Sequence, residues 1–192
     1  MSARDLETLA EFVGVRDTAH APLPPDVLVK KWIAVLRAAQ RYVRQIPRER
    51  LNERAIHTRD RSVRILSHHL FRIAEAFVEC VVDGAEYSAS LADLEPQDGA
   101  CGTGDEIARY GDGVIERLQE WWKRDPDHSC RRTVQTFSGP QSIHQLLERS
   151  AWHSAQHARQ LIALLERYGI DPDGPLVADD LAGLPLPNGI FD

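Results

Sequence analysis

The chain has 192 residues, of which 43% are hydrophobic and 27% charged, enough for one domain with a real core and too apolar for disorder to be the default. Its 23 lysines and arginines against 29 aspartates and glutamates give a net charge of −6, a balance that argues against wrapping nucleic acid, which needs clustered positive charge. Met1 to Asp5 lack the apolar core of a signal peptide, and no apolar run approaches the ~20 residues that span a bilayer. The expectation is a cytoplasmic, single-domain protein over residues 1–192, its core at about 23–170, without a membrane or nucleic-acid partner. Cys80, Cys101 and Cys130 are odd in number, far apart and form no CxxC pair, so they are expected to be free thiols in a reducing compartment.

Ser2 can cap a short first helix reaching about Val13, with Leu6, Leu9, Ala10 and Val13 on one face. Ala21-Pro22-Leu23-Pro24-Pro25-Asp26 breaks regular structure and starts the first of four long helices. That helix runs to about Ile46, with Leu28, Trp32, Val35, Ala39, Val43 and Ile46 at core spacing, and Pro47 stops it. The second long helix is expected from Asp60–Ser62 to Asp83-Gly84, where Gly84 suits a helix end. The third opens on the capping-box pattern Thr103-Gly104-Asp105-Glu106 and ends near Lys123, before Pro126. Ile107, Val114, Leu118 and Trp121 would face inward, while Gly111 and Gly113 lower its helix propensity. Thr133 to Phe137 can be extended, and Ser138-Gly139-Pro140 turns the chain. Ser142 and Gln145 form another capping-box pattern for the fourth helix, which runs to Tyr168 and stops at Gly169 and Pro172. The last ~20 residues are rich in Pro, Gly and Asp and read as an irregular tail.

Four amphipathic helices with few strand signals predict an all-α four-helix bundle with a short N-terminal helix. The Gly84–Thr103 connection is long enough to cross one end, so the pattern leaves the topology open.

The chemistry concentrates in histidines. His153 and His157 lie four apart on the fourth helix, one turn from each other on one face. That face is apolar, because Leu146, Leu161 and Leu164 share it. On the second helix His68 and His69 differ by about 100° in direction, so at most one is expected to face the core. His69 is in register with Ser62, Ile65, Leu66, Ile73, Ala76 and Cys80. His68 goes with Arg61, Arg64 and Glu75 on a wetter face, where it reads as a surface or rim residue paired with Glu75. His69, His153 and His157 are therefore the expected ligands of one divalent metal, with a fourth position left open, as catalytic zinc sites have it. Zinc leads; nickel, iron and manganese also suit such a site. His20, His57, His128 and His144 fall outside this constellation.

Ser62-Val63-x-x-Leu66-x-x-His69-Leu70 on the second helix and Ala151-Trp152-His153-x-x-x-His157-x-x-Gln160-Leu161 on the fourth resemble, in order and separation, the DinB/YfiT-like superfamily of four-helix-bundle metalloproteins. The resemblance covers about Leu23 to Gly169. It implies one metal held by three histidines, one on the second helix and two on the fourth, which by position are His69, His153 and His157. It also implies a reaction class, since several members are transferases or isomerases that use bacillithiol, mycothiol or glutathione. Leu181-Ala182-Gly183-Leu184-Pro185-Leu186-Pro187 resembles a branch in which a glutaredoxin-like domain can precede the bundle, which points toward glutathione.

The leading expectation is a metal-dependent thiol S-transferase acting on a small-molecule electrophile, because a bound cation lowers a thiol's pKa and the thiolate is the nucleophile. Arg72 or Arg149 could hold the thiol's carboxylates, although each also reads as a solvated charge. Metal-dependent hydrolysis is the alternative enzyme class, but His153-Ser154-Ala155-Gln156-His157 has no carboxylate where a zincin has its glutamate, leaving only Glu75 or Glu148. A non-catalytic metal- or partner-binding bundle is the third reading, with Trp121-Trp122 a candidate face for a homodimer. No phosphate-binding glycine loop and no GxSxG elbow is present.

Overall fold

A computed structural model describes residues 21–56, 60–97 and 99–191. The expected helix from Ser2 to Val13, with His20 and His57, lies outside them.

Helix α1, Pro25–Gln45, starts with a proline at its first position, where no backbone N–H is needed, and carries Asp26 in its first turn. Leu28, Trp32, Val35, Ala39 and Val43 are all buried, as their spacing predicts. Helix α2, Val63–Val78, is capped by the Ser62 side chain, which accepts from the backbone N–H of Ile65. It departs from expectation at its end: Glu79–Asp83 winds as a single wider turn before Gly84 closes the element with a φ of 76°. The following connection contains a four-residue helix, α3, Ala89–Ala92, capped by Ser88. Such a short turn carries too little periodicity to be read from sequence. Helix α4, Gly104–Arg124, has the expected capping box of Thr103 and Glu106. Strands β1, Thr133–Thr136, and β2, Gly139–Ser142, pair antiparallel, and Tyr87 donates its N–H to Gln135 O of β1 and accepts at its carbonyl from Phe137 N just beyond the strand. Helix α5, Ile143–Arg167, starts from the Ser142 and Gln145 capping box and ends at Gly169, whose φ is 73°. The tail holds one further turn, α6, Ala178–Leu181.

The described chain is thus mostly helical, with one small ribbon. Helices α1 and α2 each pack along both α4 and α5, and the core lies among the four. An aromatic run binds three of them: Trp32 on α1 meets Phe77 on α2 edge-on at 5.3 Å between ring centroids, and Phe77 meets Trp121 on α4 at 4.9 Å. Gly111 has a packing reason, because a Cβ there would lie 2.7 Å from the Phe71 ring. Trp121 is buried and Trp122 half-buried. No described helix is long and apolar enough to cross a membrane.

Candidate metal centre

His69 on α2 and His153 and His157 on α5 come together between these two packed helices, joined nearby by the Ser154 hydroxyl donating to Leu70 O at 3.1 Å. One ring nitrogen from each histidine lies within 4.8 Å of the others. His69 and His157 are 5% and 4% exposed, whereas His153 is half-buried, so the cluster opens on its side.

Two of the rings are held in a defined tautomer. His69 Nδ1 lies 3.0 Å from Ala92 O and 3.4 Å from Asp93 Oδ1, and Arg61 holds Asp93 at 3.2 Å. A carbonyl only accepts, so in the neutral ring Nδ1 carries the proton and Nε2 keeps its lone pair. Burial drives the His69 pKa well below 6.5, and the neighbouring His157, His153 and Arg61 lower it further against the bond to Ala92 O. His157 Nδ1 lies 2.7 Å from Gln160 Oε1. The Gln160 amide nitrogen donates to Ile190 O at 2.8 Å, so its oxygen faces His157 and His157 Nδ1 is the donor.

The ring spacings test whether one ion fits. With metal–nitrogen bonds of ~2 Å along each ring axis, centroids would sit about 4.5 Å apart at right-angle coordination and about 5.2 Å apart in a tetrahedron. The centroid separations are 5.4, 5.0 and 4.7 Å. Three imidazoles with two lone pairs fixed by their neighbours therefore fit a divalent transition metal.

Other expectations change. His68 is not a surface residue: it is 6% exposed, stacks on Tyr110 at 4.6 Å, and burial beside Arg72 lowers its pKa to about 4. Glu75 does not pair with it, being taken by Tyr110, Arg72 and Arg117. His68 lines a separate cleft of about 540 Å³ with Arg72, Cys101, Arg109 and Tyr110. Arg72 is 2% exposed and bonded to Leu91 O, Glu75 and Glu79, which makes it a structural anchor rather than a solvated charge. Arg149 is half-buried with its guanidinium 4.6 Å over the Phe137 ring, and burial lowers its pKa. Glu148 is half-buried on α5. His144 binds Leu23 O and His128 stacks on Trp122, both away from the cluster.

Sequence pattern assigns Ala92 and Asp93 no role, and Gln160 only a place in the fourth-helix motif. Gln160 stands three residues after His157, and that spacing alone places the two side chains within reach. Ala92 and Asp93 are contributed by the connection, which no local pattern ties to His69. Comparison of the chain with protein-family models, with curated proteins and with solved structures gives no match.

Proposed function

We propose that this chain is a DinB/YfiT-like four-helix bundle that binds one divalent metal, zinc first, through His69, His153 and His157, and that it works as a thiol S-transferase. The observation that carries this reading is the convergence of three imidazoles from two helices, within 4.8 Å of one another, with one side open. The four long helices and the order of the histidines along them support the family reading.

When bound, the metal would supply positive charge that keeps a small thiol, of the glutathione, bacillithiol or mycothiol type, ionised near neutral pH. The residues of the chain do the rest by position. Ala92 and Gln160 keep the Nδ1 protons of His69 and His157 in place, so both rings stay neutral ligands. The buried positions of His69 and His157 exclude water from two sides, and the half-buried His153 leaves access for thiol and electrophile. Thiol transfer is preferred to hydrolysis because a thiolate needs no general base, and the segment between His153 and His157 offers none.

Metal content of the wild type against His153→Ala tests the site; equal stoichiometry removes the metal reading. Turnover of a generic electrophile with glutathione, bacillithiol and mycothiol tests the reaction. Metal-dependent turnover with one of them supports it. Retained metal with no turnover for any of them favours hydrolysis or a binding role instead.

A further inference from the structure

The tail segment Pro187–Ile190 is fastened to α5 by side chains that donate to its carbonyls. Gln156 Nε2 donates to Gly189 O at 3.0 Å and Ile190 O at 2.8 Å, Arg159 donates to Pro187 O at 2.8 Å, and Gln160 Nε2 donates to Ile190 O at 2.8 Å. Gln156 and Gln160 are one helical turn apart and share the Ile190 carbonyl, which has a lone pair for each. Both amides are buried, at 6% and 4% exposure. Gln160 is the member that faces both ways, since its oxygen accepts from His157 Nδ1 at 2.7 Å.

That geometry gives the Gln160 carboxamide no freedom. Its nitrogen must meet an acceptor at Ile190, so its oxygen must meet a donor at His157. A rotated amide would set nitrogen against His157 Nδ1 and oxygen against Ile190 O, losing both bonds in a buried setting. We propose that Gln160 is a positioning residue that couples the histidine cluster to docking of the Pro187–Ile190 segment. Metal held by His157 strengthens the Nδ1–H donor, which fixes the Gln160 oxygen and with it the donor to Ile190. Docking of the segment in turn aims Gln160, and the two effects are reciprocal. This inference rests on the proposed metal site.

The experiment measures zinc affinity by isothermal titration for the wild type, Gln160→Leu and Gln160→Glu, with NMR of the backbone amides of Gly189 and Ile190 during the titration. Gln160→Leu removes both bonds and is expected to weaken zinc by about 10- to 100-fold. Gln160→Glu keeps an acceptor for His157 but loses the donor to Ile190, so it gives up only the docking contribution and weakens zinc less than Gln160→Leu does. In the wild type the Gly189 and Ile190 signals shift with the same midpoint as the three imidazoles; in both variants they do not follow zinc. Wild-type affinity in Gln160→Leu, or equal weakening in Gln160→Glu, overturns the positioning role. Wild-type Gly189 and Ile190 signals that ignore zinc overturn the coupling. A wild type that binds no zinc at all is a separate result, which removes the metal reading and this inference with it.

Discussion

His69 Nδ1 sits 3.0 Å from the carbonyl oxygen of Ala92, a residue 23 positions further along the chain. The carbonyl is presented by α3, a helix of four residues whose only side-chain cap is Ser88, accepting from Leu91 N at 3.0 Å. A turn that short has no stability of its own. Ser88→Ala, which costs about 1 kcal/mol at an N-cap, is therefore expected to loosen the support of His69 and weaken zinc binding by about 2- to 10-fold without changing stoichiometry. Isothermal titration of the two proteins decides it, and unchanged affinity would mean that the connection does not hold the ring.

Neighbouring histidines on α2 separate metal binding from packing. His69→Ala is expected to abolish stoichiometric zinc. His68→Ala, one residue earlier, leaves zinc stoichiometry at wild type while lowering stability, because it strips the stacked partner from Tyr110. Metal analysis together with urea unfolding reads both outcomes. Loss of zinc in His68→Ala would overturn the assignment of His69.

This pair also marks what the sequence could say. The core face of α1, the capping boxes of α4 and α5, and the shared face of His153 and His157 follow from period and cap chemistry, which act over a few residues. Register along one helix separates His69 from His68. What register could not supply was the partner element. Tyr110 from α4 covers His68, so a residue on a polar-looking stripe is buried, and Arg72 on the same stripe is enclosed by Glu75, Glu79 and Leu91 O. The support for His69 comes from a loop whose path depends on tertiary contacts, among them the bond of Tyr87 to β1.

Acid is expected to destabilise the metal-free protein. The folded-state pKa of His68 is about 4 against the ordinary 6.5, chiefly from burial, and that of His69 also lies well below 6.5. The unfolded chain then binds more protons than the folded one, so stability is full above about pH 6.5 and declines as pH falls toward 4. His69 adds to the decline below pH 6.5 in the same sense. Urea midpoints between pH 7 and 4 measure the slope. His68→Phe retains a ring for Tyr110 but does not titrate, and its curve is expected to be flatter than wild type in this window.

Two glycines of α4 are expected to answer alanine with opposite signs. Gly113 is exposed and a Cβ there meets nothing within 4 Å, so Gly113→Ala should gain about 0.5–1 kcal/mol of helix propensity. At Gly111 the added carbon would stand 2.7 Å from the Phe71 ring, 2.9 Å from a second ring atom, and the cost of overpacking, about 1–3 kcal/mol, exceeds the same gain. Thermal midpoints of the two variants check this. Stabilisation by both would mean that α2 and α4 yield easily at their contact.

Arg72 distinguishes a structural cation from a substrate-binding one. Its guanidinium donates to Leu91 O at 2.9 Å, to Glu75 at 2.7 Å and to Glu79 at 2.6 Å, while the residue is 2% exposed. Removing it leaves the partly buried Glu79 without its cation, leaves Glu75 only Arg117 and Tyr110, and frees the carbonyl next to Ala92. Arg72→Ala should therefore cost about 3–5 kcal/mol. Lysine cannot reproduce a fork that reaches three acceptors, so Arg72→Lys should recover only part of that loss. A residue that gripped the carboxylates of a thiol would behave otherwise, raising KM for the thiol while leaving the urea midpoint in place. The expected pattern is a large fall in midpoint for Arg72→Ala and a smaller one for Arg72→Lys. Because α3 leans on Arg72 through Leu91, a modest loss of zinc affinity should accompany the fall in both variants.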